Sequence, residues 1–242
     1  MTAWIAICRD NAGVTAHAME GARHLRHAKG IDEAAALAHL AYDAGRILHI
    51  GDGPPDTLPA AILPRGGHGL PGFVQVSPAD VIGAQVRLWI AGVLRLNPGW
   101  DGVICAIDGD ISHWLHLSAG EAVSAQSFLT QQLVSALGGT VPPSREALDD
   151  SLSRPERLAA HLRAAQVSHR SDALTGHLLG AELAAARPYW LGQQVAVLTS
   201  PDDPTGHAAA LAAESVPATI HAPSELVAHG LAALAGAFSL DA

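Results

Sequence analysis

The sequence predicts an α/β protein made of two similar units in tandem, and three observations carry that prediction. Short apolar runs of strand length alternate with helical stretches through the 242 residues. In the back half, three successive strands precede a helix–strand–helix–strand–helix series. The front half repeats that order in abbreviated form.

The back half is the clearer of the two. Val103-Ile104-Cys105-Ala106-Ile107 is a continuous apolar run, and Ser112 to Leu117 is a second one. Asp108-Gly109-Asp110 between them carries the Asp-Gly pair favoured in tight hairpins. Ser118-Ala119-Gly120 makes the next turn, and Ala122 to Phe128 the third strand. From Thr130, Leu133, Val134 and Leu137 recur at helical spacing until Gly138-Gly139 stops the helix. Helical sequence follows from Pro143 to about Arg187, broken at Pro155 and Pro188. Gln194 to Leu198 reads as the fourth strand, Pro204 to Glu214 as a helix, and Val216 to Ile220 as the fifth strand. A closing helix runs from Pro223 to about Phe238, with proline and Glu225 in its first turn.

The front half starts with strands at Trp4–Cys8 and Gly13–Met19, and a weaker third candidate at Arg23–His27. An Ala-rich helix is expected over 31–46, then a strand at Ile47–Ile50. Residues 51–73 are rich in proline and glycine and read as loop. Ser77-Pro78-Ala79-Asp80 carries helix-start chemistry, so a helix is expected from there to about Leu96. Asn97-Pro98-Gly99 ends it and marks a boundary, giving units of 1–97 and 98–242. Two βββ-αβα units suggest two RNase H-like domains, as in actin-like ATPases and sugar kinases. The first is reduced, and the second carries a helical insertion at about 143–187.

Composition narrows the function. Hydrophobic residues make up 49% and charged residues 15%, enough apolar material for a sizeable core. With 14 Lys+Arg against 23 Asp+Glu, the formal charge of −9 gives no electrostatic footing for nucleic acid. Cys8 and Cys105 lie in strand-like runs and read as buried, reduced thiols. No apolar run approaches the ~20 residues that cross a bilayer, and the N-terminus lacks signal-peptide character. A soluble cytoplasmic protein with no nucleic-acid or membrane partner is expected.

Particular residues then point to a family. Asp108-Gly109-Asp110-Ile111-Ser112-His113-Trp114 and Ala125-Gln126-Ser127-Phe128-Leu129-Thr130-Gln131-Gln132-Leu133 stand where 2-dehydro-3-deoxygalactonokinases have Pro-Gly-Thr-His-Ser-Lys-Trp and Phe-Arg-Thr-Phe-Met-Thr-Gly-Glu-Leu. Gly176-His177-Leu178-Leu179-Gly180-Ala181-Glu182-Leu183 resembles the family's Gly-Leu-Leu-Ile-Gly-Ala-Glu-Leu helix. Leu70-Pro71-Gly72-Phe73 resembles its Val-Pro-Gly-Leu. The chain thus resembles that family from about Trp4 to Phe238.

The resemblance implies an ATP- and Mg²⁺-dependent kinase acting on a six-carbon 2-keto-3-deoxy sugar acid. Catalysis in such enzymes is mostly positioning and charge stabilisation. By resemblance, nucleotide contacts fall on Asp108, Gly109, Asp110, Ser112, Thr199 and Ser200. Mg²⁺ would fall to Asp108 and Asp110, and no catalytic base can be assigned.

The chain departs from the family at four places. Cys8-Arg9-Asp10-Asn11 replaces the first phosphate turn, where the family has Asp-Trp-Gly-Thr. In the second turn, Asp110 stands for threonine and His113 for lysine. Gly83-Ala84-Gln85-Val86-Arg87 lacks both glutamates of the family's Arg-Gly-Glu-Glu-Thr-Gln helix. On the adenine side, Thr199-Ser200-Pro201 replaces Gly-Ser-Pro and His207 the tyrosine. Joint loss at these sites leads us to expect weak or absent phosphoryl transfer, a pseudokinase. The competing class is a binding or regulatory protein that uses the cleft, or the surface of the reduced domain, to hold a metabolite or partner. Separately, an incomplete first sheet would expose an edge for a partner chain, so a homodimer is expected.

Other constellations weigh less. Read from the residues alone, Asp108-Gly109-Asp110 is either a hairpin turn or a Mg²⁺ ligand pair. Fourteen histidines include pairs three apart, His24/His27 and His113/His116. On a regular strand that spacing places His113 and His116 on opposite faces, and His24 and His27 could share a face only if their segment were helical. With no Cys or carboxylate at zinc spacing beside them, neither pair is expected to chelate a metal. Gly176 and Gly180 read as close helix packing. Ser112 lacks a Gly-x-Ser-x-Gly elbow, and the single lysine, Lys29, lies outside any P-loop motif.

Overall fold

In the computed structural model, which describes residues 2–10, 13–64, 66 and 69–240, the chain opens with three antiparallel strands. These are β1 (Ala3–Asp10), β2 (Gly13–Glu20) and β3 (Arg23–Gly30). Helix α1 (Glu33–Leu40) follows, its first turn capped by Asp32, which accepts from the Ala35 N–H at 2.8 Å. Next come β4 (Ile47–Ile50), β5 (Asp56–Thr57), β6 (Ala60–Ala61), β7 (Gly69–Leu70), β8 (Phe73–Gln75), β9 (Asp80–Ile82) and helix α2 (Ala84–Leu96).

The remaining elements are β10 (Gly102–Asp108), β11 (Ile111–Ser118), β12 (Glu121–Phe128), α3 (Thr130–Leu137) and α4 (Arg145–Ser153). A 3₁₀ turn at Pro155–Arg157 leads to α5 (Leu158–Val167), α6 (Ser171–Ala185) and α7 (Arg187–Trp190). Then come β13 (Val195–Leu198), α8 (His207–Ala213), β14 (Ala218–His221) and α9 (Pro223–Ala237).

Contacts divide the chain into two units. The first holds residues up to Trp100, residues 118–123, and the segment from Pro223 onward. The second holds 101–117 and 124–222. The expected boundary kept 98–242 together, whereas α9 packs on α2 in the first unit. Two glycines permit that approach. A Cβ at Gly92 would lie 2.5 Å from the Leu226 carbonyl oxygen, and one at Gly230 would strike the Leu88 carbonyl.

The first unit's sheet has the order β3-β2-β1-β4-β7, with β4 parallel to β1 and β7 parallel to β4. Strand alternation sorts its side chains into two cores. Ile5, Ile7, Val14, Ala16 and Ala18 pack with Ala36 and Leu40 of α1. Trp4, Ala6, Cys8, Met19, Leu48 and Ile50 pack with Ala84 and Leu88 of α2 and Leu231 and Leu234 of α9. The reduced first domain therefore carries a five-stranded sheet. Glu121 and Ala122, at the start of β12, belong to this unit and pair with Ala61 and Ala60 of β6.

The second sheet carries the order β14-β13-β10-β11-β12, with β13 parallel to β10 and β14 parallel to β13. Its core joins Val103, Cys105, Trp114, Val195 and Val197 to Leu148 and Leu152 of α4 and Leu179 and Leu183 of α6. A Cβ at Gly176 or Gly180 would collide with the Ser144 or Leu148 carbonyl, so both glycines serve the α4–α6 contact as the sequence suggested.

Three local expectations change. Residues 51–73, expected as loop, carry the short strands β5, β6 and β7 and the first residue of β8. The helix expected over 31–46 is only Glu33–Leu40, because Ala41 turns left-handed at φ 48° and its N–H caps the Leu37 carbonyl. The helix expected from Ser77 starts only at Ala84. Residues 80–82 are instead drawn into a ladder with Phe73–Gln75, which buries Ile82 and Phe73 completely. Tertiary pairing overrides the local cap signal there.

Candidate functional site

In open α/β sheets ligands collect at the carboxyl ends of the parallel strands. In the first unit those ends belong to β1, β4 and β7. Arg9, near the end of β1, bonds Asp52 just beyond β4 at 3.0 Å and Glu33 at the start of α1 at 2.6 Å. His49 of β4 donates through Nε2 to Glu33 at 3.1 Å, and its Nδ1 lies 3.7 Å from Asp52. Two carboxylates, a guanidinium and an imidazole are thus gathered where the family-like phosphate turn was expected. Cys8, at the place of the family's metal-side aspartate, is buried in the core. Asn11 and the side chain of Asp10 lie outside the described residues.

Beside this cluster is a cavity of about 800 Å³, whose described walls include His49, Asp52, Asp56, Leu63, Pro71 and Arg87. Arg87 holds the wall in place. Its side chain is only 1% exposed. Nε donates to the Ile62 carbonyl at 2.9 Å, Nη1 to Asp56 at 2.7 Å and the Pro71 carbonyl at 3.0 Å, and Nη2 to the Ala61 carbonyl at 2.8 Å. The guanidinium also sits 4.3 Å from the Phe73 ring centroid. Burial lowers the Arg87 pKa, and the hydrogen bond and charge of Asp56 oppose that shift. Arg87 is therefore a clamp that ties Asp56, Ala61, Ile62 and Pro71 to α2, and its donors point mostly at backbone. Nothing in the sequence marked it as more than the end of a degenerate motif.

In the second unit the equivalent edge is formed by β10, β13 and β14. Asp108 ends β10, and Thr199 and Ser200 follow directly on β13, its parallel neighbour. Gly109 and Asp110 make the β10–β11 turn, with Gly109 at φ 58° and open space where a Cβ would stand. The topology thus brings Asp108, Gly109, Asp110, Thr199 and Ser200 to one sheet edge. Thr199 is buried, and Ser200 is exposed and hydrogen-bonds Asp202, holding that carboxyl below its ordinary range.

Ser112 goes elsewhere. It is fully buried, and its hydroxyl donates to Glu182 Oε1 at 2.8 Å. His113, at the family's lysine position, is buried with Nδ1 2.6 Å from the Ser127 hydroxyl. The turn therefore offers carboxylates without a neighbouring lysine. Two such carboxylates with open space above the turn suit Mg²⁺, which takes one or two protein carboxylates and fills its shell with water or phosphate oxygens. Among the described residues no third His, Cys, Asp or Glu ligand converges on Asp108 and Asp110.

Glu182 is the residue that sequence reading left without a role. It lies on α6, and besides Ser112 it accepts from Trp114 Nε1 at 2.8 Å and His207 Nε2 at 3.0 Å. A lone carboxylate inside Gly176–Leu183, a stretch whose only other polar side chain is His177, was the signal available. It is a structural hub of the second core, and it also accounts for His207, which stands where an adenine-side tyrosine was expected.

Two units of this strand order define an actin-like ATPase fold. Solved structures agree: the chain aligns with the Acidaminococcus fermentans (R)-2-hydroxyglutaryl-CoA dehydratase component A at TM-score 0.54 and 10% identity, covering 98% of this chain and 97% of that one. Within that class the likeness is to sugar-acid kinases. A sequence model of the family 2-keto-3-deoxy-galactonokinase matches residues 144–234. A crystal structure of a "putative 2-dehydro-3-deoxygalactonokinase" from Sinorhizobium meliloti aligns at TM-score 0.80 and 18% identity, over 96% of this chain and 98% of that one. The activator of 2-hydroxyisocaproyl-CoA dehydratase from Clostridium difficile, solved with bound ADPNP, aligns at TM-score 0.50 and 11% identity over 98% and 94% of the two chains. No curated protein sequence matches. The resemblance to the galactonokinase family, read first from short motifs, therefore stands. None of the helices among the described residues is long and apolar enough to cross a membrane.

Proposed function

We propose that this chain is a sugar-acid-binding relative of the 2-keto-3-deoxy-galactonokinases in which phosphoryl transfer is much reduced. The observation that supports it is the Arg9–Glu33–His49–Asp52 cluster at the ends of β1 and β4. Phosphoryl transfer needs donors and metal charge free to meet the phosphates. Here the one guanidinium is bonded to two carboxylates, and Cys8 replaces a carboxylate. The adjoining cavity suits a small polyol. Asp52 and Asp56 supply acceptors for hydroxyl groups, His49 supplies an imidazole, and Arg87 keeps the wall rigid. We assign the ligand to the family's substrate class, a six-carbon 2-keto-3-deoxy sugar acid.

A second reading, the active kinase, draws on Asp108, Gly109, Asp110, Thr199 and Ser200 gathered at the edge of the second sheet. In that reading Asp108 and Asp110 hold Mg²⁺ of MgATP, which when bound supplies the phosphoryl group and neutralises its charge. Asp110→Ala would then weaken thermal protection by MgATP.

Isothermal titration with 2-keto-3-deoxygalactonate, alongside a coupled phosphotransfer assay with MgATP, separates the two. We expect saturable sugar-acid binding with negligible turnover. Turnover in the ordinary kinase range of roughly 1–100 s⁻¹ would establish the second reading instead.

A further inference from the structure

The sequence spacing argued against a metal site at His24 and His27, and the fold removes the objection. Residues three apart on a regular strand face opposite ways. In β3, however, His27 pairs with His17 and Arg26 with Ala18, after which the register shifts so that His24 pairs with Met19. Leu25 is the extra residue of a β-bulge. Cross-strand partners share a face, and His17 and Met19 are two apart on β2. His24 and His27 therefore stand on the same face as His17.

The three rings converge. His17 Nδ1 lies 3.1 Å from His24 Nε2, and the ring centroids are 5.3, 5.6 and 6.1 Å apart. One ligand nitrogen from each ring can be chosen so that all lie within 4.8 Å of one another. Tetrahedral zinc with Zn–N of about 2.0–2.1 Å needs nitrogens about 3.3 Å apart, within reach of small χ rotations. His17 is the anchor, buried to 7% exposure, while His27 is exposed. Burial, then the adjacent His24 and His27, lower the His17 pKa to about 3, so it is held as the neutral imidazole that ligates metals.

We propose that His17, His24 and His27 form a three-histidine site for Zn²⁺. Three imidazoles with a vacant fourth position are a ligand set that zinc accepts, with water or an anion completing the tetrahedron. The same three residues line a cavity of about 430 Å³ together with Thr15, Gln85 and Glu225, which gives a fourth ligand room. Lys29 and Glu225 both line it, so the immediate surroundings carry opposite charges. The site goes beyond the sugar-acid reading and does not depend on it.

The test is zinc titration of the full chain, free of any affinity tag and previously stripped with chelator, followed by calorimetry and by the visible spectrum of the Co²⁺ form. One equivalent should bind with micromolar or tighter affinity, and Co²⁺ should give a four-coordinate spectrum. His24→Gln and His27→Gln, both away from the buried anchor, should each weaken binding at least about hundredfold, since loss of outer-shell partners alone costs 10–100-fold. Their metal-free unfolding should match the parent. His169→Asn, an exposed histidine in the second unit, should bind as the parent does. Absence of saturable uptake, or uptake unchanged by both substitutions, would overturn the assignment.

Discussion

His207 donates through Nε2 to Glu182 Oε1 at 3.0 Å, and neither side chain has any exposed surface. Burial raises the Glu182 carboxyl pKa, but the His207 charge and the hydrogen bonds from His207, Thr130 and Trp114 outweigh it, so the group ionises below its ordinary 4.5. As pH falls, the unfolded chain takes up that proton before the folded one does. The contribution of Glu182 is therefore complete above about pH 4.5 and is lost as pH drops through the folded value, with a slope of at most about 1.4 kcal/mol per pH unit. Glu182→Gln should cost about 3–5 kcal/mol by urea denaturation at pH 7. It should also flatten the acid limb of the stability profile. An unchanged acid limb would show that other carboxylates set it.

Arg87 and Asp56 form an asymmetric pair, the guanidinium side chain 1% exposed and the carboxylate 46%. Asp56→Asn keeps an acceptor and should cost only about 1–3 kcal/mol. Arg87→Met strips the donors from three carbonyls and should cost more, about 3–5 kcal/mol. Hydrogen exchange should then rise around Asp56, Ala61 and Ile62 while the α4–α6 contact of the second unit keeps its protection.

Gly230→Ala tests the α2–α9 contact. The added methyl meets the Leu88 carbonyl, which is backbone and cannot rotate away. Helix propensity alone would favour alanine by up to about 1 kcal/mol. Overpacking should dominate, for a net loss of about 1–3 kcal/mol in chemical denaturation. A gain in stability would mean that the helices separate freely.

Sugar-acid binding should depend on Asp52. Asp52→Asn leaves a side chain of the same shape, while Arg9 keeps Glu33 as a partner. We expect roughly tenfold weaker calorimetric affinity, about 1.4 kcal/mol, with little change in melting temperature because Asp52 is half exposed. Unchanged affinity would move the ligand out of this cavity.

Much of the fold was legible because its signals are local. Asp108-Gly109 set a hairpin, Gly138 stopped α3, and the run at Gln194–Leu198 read as a strand, which the fold places between two parallel neighbours. The features that were misread depend on partners distant in sequence. Ser77-Pro78-Ala79-Asp80 has good cap chemistry, but residues 80–82 had a strand partner at 73–75 that no window around them reveals. The bulge at Leu25 is likewise invisible to a two-residue period, and a single inserted residue changed which histidines meet. At the candidate site, Asp108 and Thr199 were singled out by the family resemblance, and the strands read at 103–107 and 194–198 put them just past strand ends. Nothing local showed the diversion of Ser112 to Glu182, 70 residues away.

The return of α9 to the first unit has a consequence for synthesis. Domains emerging from a ribosome usually fold in order, amino-terminal first, at about 5–20 residues per second. Here Leu88 and Gly92 must wait for Leu226 and Gly230, so the whole second unit is made before the first can close. For an interval on the order of ten seconds, the α2 surface meant for α9 stays uncovered, including the Leu88 that ends up fully buried. The nascent chain therefore passes through a stage in which its later half can be native while its earlier half remains open to chaperones.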